Sequence, residues 1–247
     1  MSLLSVTGLS KSFGGLRALD DVSLEVEAGS VHGLMGANGA GKTTLFSIIA
    51  GNQAPTAGHV RFAGRRIEGL RPDLICRLGI ARTFQIVRPF PAMTARENVE
   101  TAIMFGRARP SAADISKIAE ELLSDCGLAA FAERPASTLT LSGRKRLEVA
   151  RALGTGPRLL MLDEVMAGLT PTEVAQMLAT LRNLKARHSL TILIIEHVMS
   201  ALCDISDRIT VLHHGRLIAE GLPSDVVSDP RVNQAYFGAD DEDEGAA

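Results

Sequence analysis

The residues most able to do chemistry sit in one run, Gly36-Ala37-Asn38-Gly39-Ala40-Gly41-Lys42-Thr43, which fits G-x-x-x-x-G-K-[ST] without mismatch. It follows a short apolar strand, Val31–Met35, and opens a helix expected over Lys42–Ala50. Glycines let the backbone curl so that its N–H groups face phosphate oxygens, and the helix start adds partial positive charge. Lys42 is placed for the β- and γ-phosphates of a nucleotide and Thr43 for Mg²⁺, with Thr44 the next residue of the same cofactor-binding stretch. A purely structural Gly-rich turn does not need this strand-before, helix-after context. A second run, Leu159-Leu160-Met161-Leu162-Asp163-Glu164, is a buried strand delivering two acids at its C-terminal end, where open α/β sheets bind ligands. Asp163 suits support of Mg²⁺, directly or through water, and Glu164 suits a general base that polarises the attacking water. Alone, such an acidic strand end is as often a helix cap; beside a phosphate loop it reads as catalytic.

These residues need elements to carry them. The chain has 247 residues, 46% of them hydrophobic and 22% charged, ordinary for a soluble globular protein with one large domain or two small ones. Strands are expected over Leu3–Leu9 and Val22–Glu27, separated by a turn at Phe13-Gly14-Gly15, with a hairpin near Val60-Arg61-Phe62. Residues 87–154 read as mostly helical, including Ala112–Cys126 and Arg144–Leu153. Strand and helix then alternate: Leu159–Leu162, Pro171–Arg187, Thr191–Ile195, Met199–Ile205, and a hairpin Ile209–Leu212 with Leu217–Glu220. Short apolar strands alternating with helices predict a largely parallel sheet. The domain is expected to span residues 1–238, with the helical stretch inserted in an α/β core, and residues 239–247 to form an acidic disordered tail.

Net charge is −2, and setting aside the five acids of 240–244 leaves 26 basic residues against 23 acidic ones. That balance argues against a nucleic-acid partner. Cys76, Cys126 and Cys203 are odd in number and far apart, which disfavours a disulfide framework or a zinc site and fits a reducing compartment. No secretory leader is read at Met1–Val6, and the apolar runs are too short to cross a bilayer, so work on a membrane requires another chain.

Three further features narrow the reading. Gln85 closes Ala81-Arg82-Thr83-Phe84-Gln85; the segment Leu139-Thr140-Leu141-Ser142-Gly143-Arg144-Lys145-Arg146 leads into Ala150-Arg151-Ala152-Leu153; His197 follows the strand ending at Ile195. In this order and spacing, from about Leu4 to Gly238, the chain resembles the nucleotide-binding subunits of ATP-binding-cassette (ABC) transporters. The resemblance implies a P-loop NTPase (RecA-like) core with a mainly parallel sheet, an antiparallel β subdomain and an inserted helical subdomain. It implies ATP and Mg²⁺ as ligands. Gln85 then senses Mg²⁺ and the attacking water and links to the membrane subunit, His197 is the switch histidine at the γ-phosphate, and Phe13 stands where an aromatic stacks on adenine.

The family's L-S-G-G-Q segment departs here. Reading Leu141-Ser142-Gly143 as L-S-G is one register; the other runs without gaps through Leu139-Thr140-Leu141-Ser142-Gly143. The offset from Leu139 to Asp163, 163 − 139 = 24, is the usual one and favours the second. Thr140 then replaces the phosphate-contacting serine, with Ser142 and Gly143 beside it, and Leu141 replaces a glycine. That segment acts in trans on nucleotide held by the opposite subunit. A Cβ at a glycine position hinders close backbone approach, which puts hydrolysis at that composite site in question and leaves this chain's own loop untouched. Thr170 replaces an acid found there in many relatives.

Within the family, Ala81–Gln85, Phe90–Val99, Ile195–Met199 and Asp229–Gly238 look like the ATPases of branched-chain amino-acid importers, a group that includes urea and amide systems. That resemblance implies membrane permease subunits, a second ATPase subunit as heterodimer or homodimer, and indirectly a periplasmic solute-binding protein. It implies a cytoplasmic location, peripheral on the inner face of the membrane. Phe90, Pro91, Met93 and Phe105 are candidates for the permease contact, or else pack internally. The alternatives are another ABC system of exporter or lipopolysaccharide type and a regulatory subunit with weak hydrolysis. A soluble cassette protein of translation or repair is disfavoured by the single phosphate loop and the absence of coiled-coil heptads.

Overall fold

The computed structural model describes residues 2–85, 88–108 and 110–237. Val87, Arg109 and the tail, residues 239–247, lie outside the described residues. The chain divides into two compact units, Met1–Gly69 with Leu193–Ala247, and Leu70–Ile192.

In the first unit, β1 (Ser2–Phe13) and β2 (Leu16–Glu27) form an antiparallel hairpin turning at Gly14-Gly15, with Phe13 opposite Leu16. β1 runs four residues past the expected Leu9. The pattern breaks at Gly8, whose φ of 58° accompanies a register shift, and the polar Ser10-Lys11-Ser12 then pair on beyond it. β3 (Val31–Met35), fully buried, ends at the phosphate loop, and α1 (Lys42–Ile49) follows. β4 (Ala57–Phe62) pairs antiparallel with β1, and β5 (Arg65–Arg66) closes a four-stranded sheet in the order β2-β1-β4-β5. Leu4, Leu9, Val22, Leu24 and Val26 bury its inner face.

The second unit opens with α2 (Pro72–Leu78) and β6 (Ile80–Arg82), neither anticipated from the sequence; α2 starts on a proline and stops at Gly79, φ 105°. α3 (Ala95–Phe105) begins with a Thr94–Glu97 capping box, and α4 (Ala112–Asp125) is capped by Ser111. α5 (Leu141–Gly154) starts three residues before the expected Arg144, because the Thr140 hydroxyl accepts from Gly143 N–H. These three helices pack through Val99, Ile103, Leu122, Leu123, Leu147 and Val149, all buried. β7 (Leu159–Asp163) is buried throughout and pairs parallel with β6. α6 (Pro171–His188) starts on a second capping box, Thr170–Glu173.

β8 (Thr191–Ile195) is buried at every position, and the boundary between the units falls within it. Back in the first unit come α7 (Met199–Ile205), β9 (Arg208–His213) and β10 (Arg216–Gly221); β9 lies parallel to β3 and antiparallel to β10. The chain closes with α8 (Pro223–Ser228) and α9 (Pro230–Phe237). The parallel strand pairs, the antiparallel sheet and the helices together make the mixed α/β architecture expected. No described helix is long and apolar enough to cross a membrane.

His32, on β3, shares a 2.8 Å hydrogen bond with Thr210 Oγ1 on β9. Burial, with the charge of Arg208 adding to it, holds its pKa down to about 4 from the ordinary 6.5. The folded chain keeps this imidazole neutral, while the unfolded chain takes up a proton below pH 6.5. The stability linked to it is complete above pH 6.5 and is lost as pH falls towards 4, by about 3 kcal/mol. Urea unfolding at stepped pH reads this directly: His32→Gln is expected to flatten the acid side of the stability curve.

Candidate functional site

The phosphate loop lies wholly in the first unit. Gly36 has φ 154°, and a Cβ there would come within 2.5 Å of Leu212 O and 2.8 Å of Ala40 Cβ. At Gly41, φ 101°, a Cβ would meet Ala18 O at 2.6 Å and Leu19 Cδ2 at 2.8 Å. Both glycines are thus required by conformation and by space. Gly39, φ 81°, has nothing within 4 Å of a Cβ position, so the loop is open on that side. The β9–β10 turn braces the loop: Gly215 N–H donates to Ala40 O at 3.1 Å, and Asp20 N–H donates to Gly215 O at 2.8 Å. Arg216 ties the same turn to the Asp20 carboxylate at 2.5 Å.

Lys42 is buried, and its Nζ curls back to donate to Gly36 O at 2.6 Å and Ala37 O at 3.0 Å. α1 begins without a side-chain cap or an acid in its first turn, the kind of helix start that suits an anion. Thr43 is exposed and Thr44 half-buried. Donors, a fixed cation and an uncapped helix start fit a polyphosphate. Phe13 ends β1 with its ring half-exposed and Lys11 Nζ 5.0 Å from the ring centre, so it is not core. His197 is exposed, two residues past β8 and next to the buried Glu196.

The second unit gathers the acids with a set of basic and polar partners. Parallel pairing of β6 with β7 carries Ala81–Gln85 alongside Asp163–Glu164. Thr83 N–H donates to Met161 O at 2.9 Å, and Thr83 Oγ1 accepts from Asp163 N–H at 3.1 Å. Arg82 pairs with the Asp163 carboxylate at 2.7 Å, their side chains 10% and 3% exposed. Gln85 Nε2 donates to Glu164 Oε2 at 2.7 Å. Glu164 itself has φ 52°, left-handed for a residue with a Cβ, and the buried Lys145 donates from Nζ to its carbonyl at 2.8 Å. Strain of this kind persists where the surroundings impose it, often at a working residue. The carboxylate oxygens of Asp163 and Glu164 are hard donors of the kind Mg²⁺ takes.

At the start of α5, the Thr140 hydroxyl oxygen accepts from Gly143 N–H at 3.2 Å, and Ser142 is buried. Leu141 is 39% exposed, and its Cδ2 lies 3.2 Å from where a Cβ on Gly168 would sit. Thr170, in place of an acid, is the cap of α6. In the candidate permease-contact segment Phe90 is 44% and Phe105 76% exposed, and the Arg151 guanidinium sits 5.1 Å from the Phe90 ring centre. The buried Asn98 holds that segment, accepting from Phe90 N–H and donating to the carbonyls of Phe90, Met93 and Thr94.

The sequence alone assigns no role to Arg82, Thr83, Lys145 or Asn98. Arg82 and Thr83 stand inside a run singled out for its pattern, but the contacts of Arg82 and Lys145 span 81 and 19 residues. No local spacing announces them.

The family model described as "ABC transporter" matches residues 19–167. The chain belongs to the ABC transporter family. This ABC ATPase also matches, over residues 216–242, the model described as "Branched-chain amino acid ATP-binding cassette transporter". It is 41% identical to the high-affinity branched-chain amino acid transport ATP-binding protein BraF of Pseudomonas aeruginosa, covering 96% of this chain and 98% of that one. It is 40% identical to LivG of Escherichia coli, a protein of the same description, at 96% and 98% coverage. The crystal structure of the ADP conformation of the ATP-binding cassette MJ1267 superposes with a TM-score of 0.87 at 31% identity, covering 96% and 99%. The ABC ATPase therefore binds ATP and acts as the ATP-binding subunit of a transporter.

Proposed function

We propose that this ABC ATPase powers uptake of branched-chain amino acids or closely related small solutes through separate permease subunits. The observation that carries the reading is the match of residues 216–242 to the branched-chain model, which adds substrate-class information to the general ATPase match. The chain sits on the inner face of the membrane through its permeases, beside a second ATPase subunit and downstream of a periplasmic binding protein.

In this reading Gly36–Thr44 hold the triphosphate through loop N–H groups, and Lys42 exchanges its carbonyl partners for phosphate oxygens. Phe13 stacks on adenine. Thr43, Gln85 and Asp163 would hold Mg²⁺, which would supply charge neutralisation on the phosphates. Glu164 takes a proton from the attacking water, oriented by Gln85 at its carboxylate and Lys145 at its carbonyl. His197 holds the γ-phosphate. Thr140, Ser142 and Gly143 face the nucleotide of the opposite subunit. The capping bond at Thr140 and the side chain at Leu141 support a weak contribution there.

Two unequal sites follow if the second subunit carries an intact segment. Glu164→Gln is then expected to remove most turnover of the assembled transporter, and the matching change in the partner to remove little. Equal losses in both contradict the asymmetry. The transport reading is tested by uptake of labelled leucine, isoleucine and valine in cells lacking this chain. Uptake returns with the wild-type chain and not with Lys42→Ala; unchanged uptake in cells lacking the chain contradicts it.

A further inference from the structure

Asp163, the acid that the Mg²⁺ site would use, is almost sealed from water. A buried carboxylate loses its hydration and needs a compensating charge. Arg82 supplies that charge at 2.7 Å, itself only 10% exposed. Its guanidinium carbon also lies 5.7 Å from the centre of the Phe84 ring, a face that is half open to solvent. Guanidinium groups stack on such faces favourably. The cation at Asp163 thus has a second partner within reach on its own side.

We propose that Arg82 is the stand-in cation of Asp163: it neutralises the carboxylate when Mg²⁺ is absent, yields that place to Mg²⁺ on nucleotide binding, and so sets the Mg²⁺ affinity of the subunit. This rests on the assignment of Asp163 to Mg²⁺. Arg82 is a positioning residue in this scheme. It keeps the strand end folded and the Asp163 carboxyl group aimed while the site waits for metal, and it competes with the metal it prepares for. Its presence tunes Mg²⁺ binding towards the nucleotide complex, where the phosphates add their own attraction for the ion.

The test is the thermal midpoint of the full chain with saturating ADP, which is not turned over, from EDTA through rising free Mg²⁺. Wild type is compared with Arg82→Gln, Arg82→Lys and Asp163→Asn. In EDTA, Arg82→Gln is expected to melt several degrees below wild type, because an unpaired carboxylate remains buried. Mg²⁺ closes most of that gap, and the half-effect concentration falls about tenfold, the size of one charged contact. Arg82→Lys lies between the two and reads the same shift if the Gln variant fails to fold.

A gap of constant width at every Mg²⁺ concentration makes Arg82 a structural residue and overturns the proposal. So does a variant that needs more Mg²⁺ than wild type. Asp163→Asn is expected to abolish the Mg²⁺ response. If it keeps the wild-type response, the assignment of Asp163 to Mg²⁺ fails, and the proposal with it. If Asp163→Asn behaves as expected and the Arg82 gap ignores Mg²⁺, the proposal fails alone.

Discussion

Replacing Glu164 with Gln is expected to lower ATP turnover by about 10²- to 10⁴-fold, the range lost with a general base, while ATP still binds. The amide keeps the shape of the carboxylate and still accepts from Gln85 Nε2, now 2.7 Å from Glu164 Oε2. The Lys145 bond goes to the backbone carbonyl and is untouched by the change. Geometry is therefore preserved, and what disappears is the capacity to take a proton. Phosphate release by the assembled transporter, measured beside nucleotide retained on a gel-filtration column in MgATP, separates the two effects. Loss of binding together with turnover would mean that Glu164 supports the nucleotide rather than the water.

The second large effect is expected at Lys42→Ala, at the other end of the chemistry. The ammonium is buried and wrapped by the carbonyls of Gly36 and Ala37 at 2.6 and 3.0 Å. Removing it withdraws the cation from the phosphates and leaves those carbonyl oxygens facing negative charge. Hydrogen bonds to charged groups contribute about 1.5–3 kcal/mol each, so losing two weakens ATP binding about 100-fold or more. Displacement of a fluorescent ATP analogue measures this. The glycine framework, which the β9–β10 turn braces through Gly215, stays folded, so circular dichroism is expected to match wild type.

How much of this was legible in the sequence differs between the two halves of the chemistry. The loop was legible almost entirely. Its residues are contiguous, and the steric demand on Gly36 and Gly41 is written as glycine in the sequence itself. The acids were legible as types at a strand end. Their surroundings were not, because Arg82 and Lys145 reach Asp163 and Glu164 only through strand pairing and helix packing. The start of α5 differs from the expected Arg144 for a related reason. The capping hydroxyl of Thr140 sets the boundary at Leu141, three residues earlier. The β4–β5 pair was legible as a hairpin near Val60-Arg61-Phe62, whereas α2, β6, α8 and α9 carry too little periodicity to rise above the loops around them. Leu141 stood out as a residue where the family pattern has glycine, and its packing against Gly168 needed the fold to be seen.

ATP bound by this chain is expected to be spent on moving an amino acid. The most direct measurement places the transporter in proteoliposomes with its binding protein and follows ATP turnover and solute entry together. Turnover is expected to rise when a branched-chain amino acid is added, and both that rise and the uptake to vanish with Lys42→Ala in this chain. Uptake that continues with Lys42→Ala, or turnover indifferent to the solute while uptake proceeds, would contradict it.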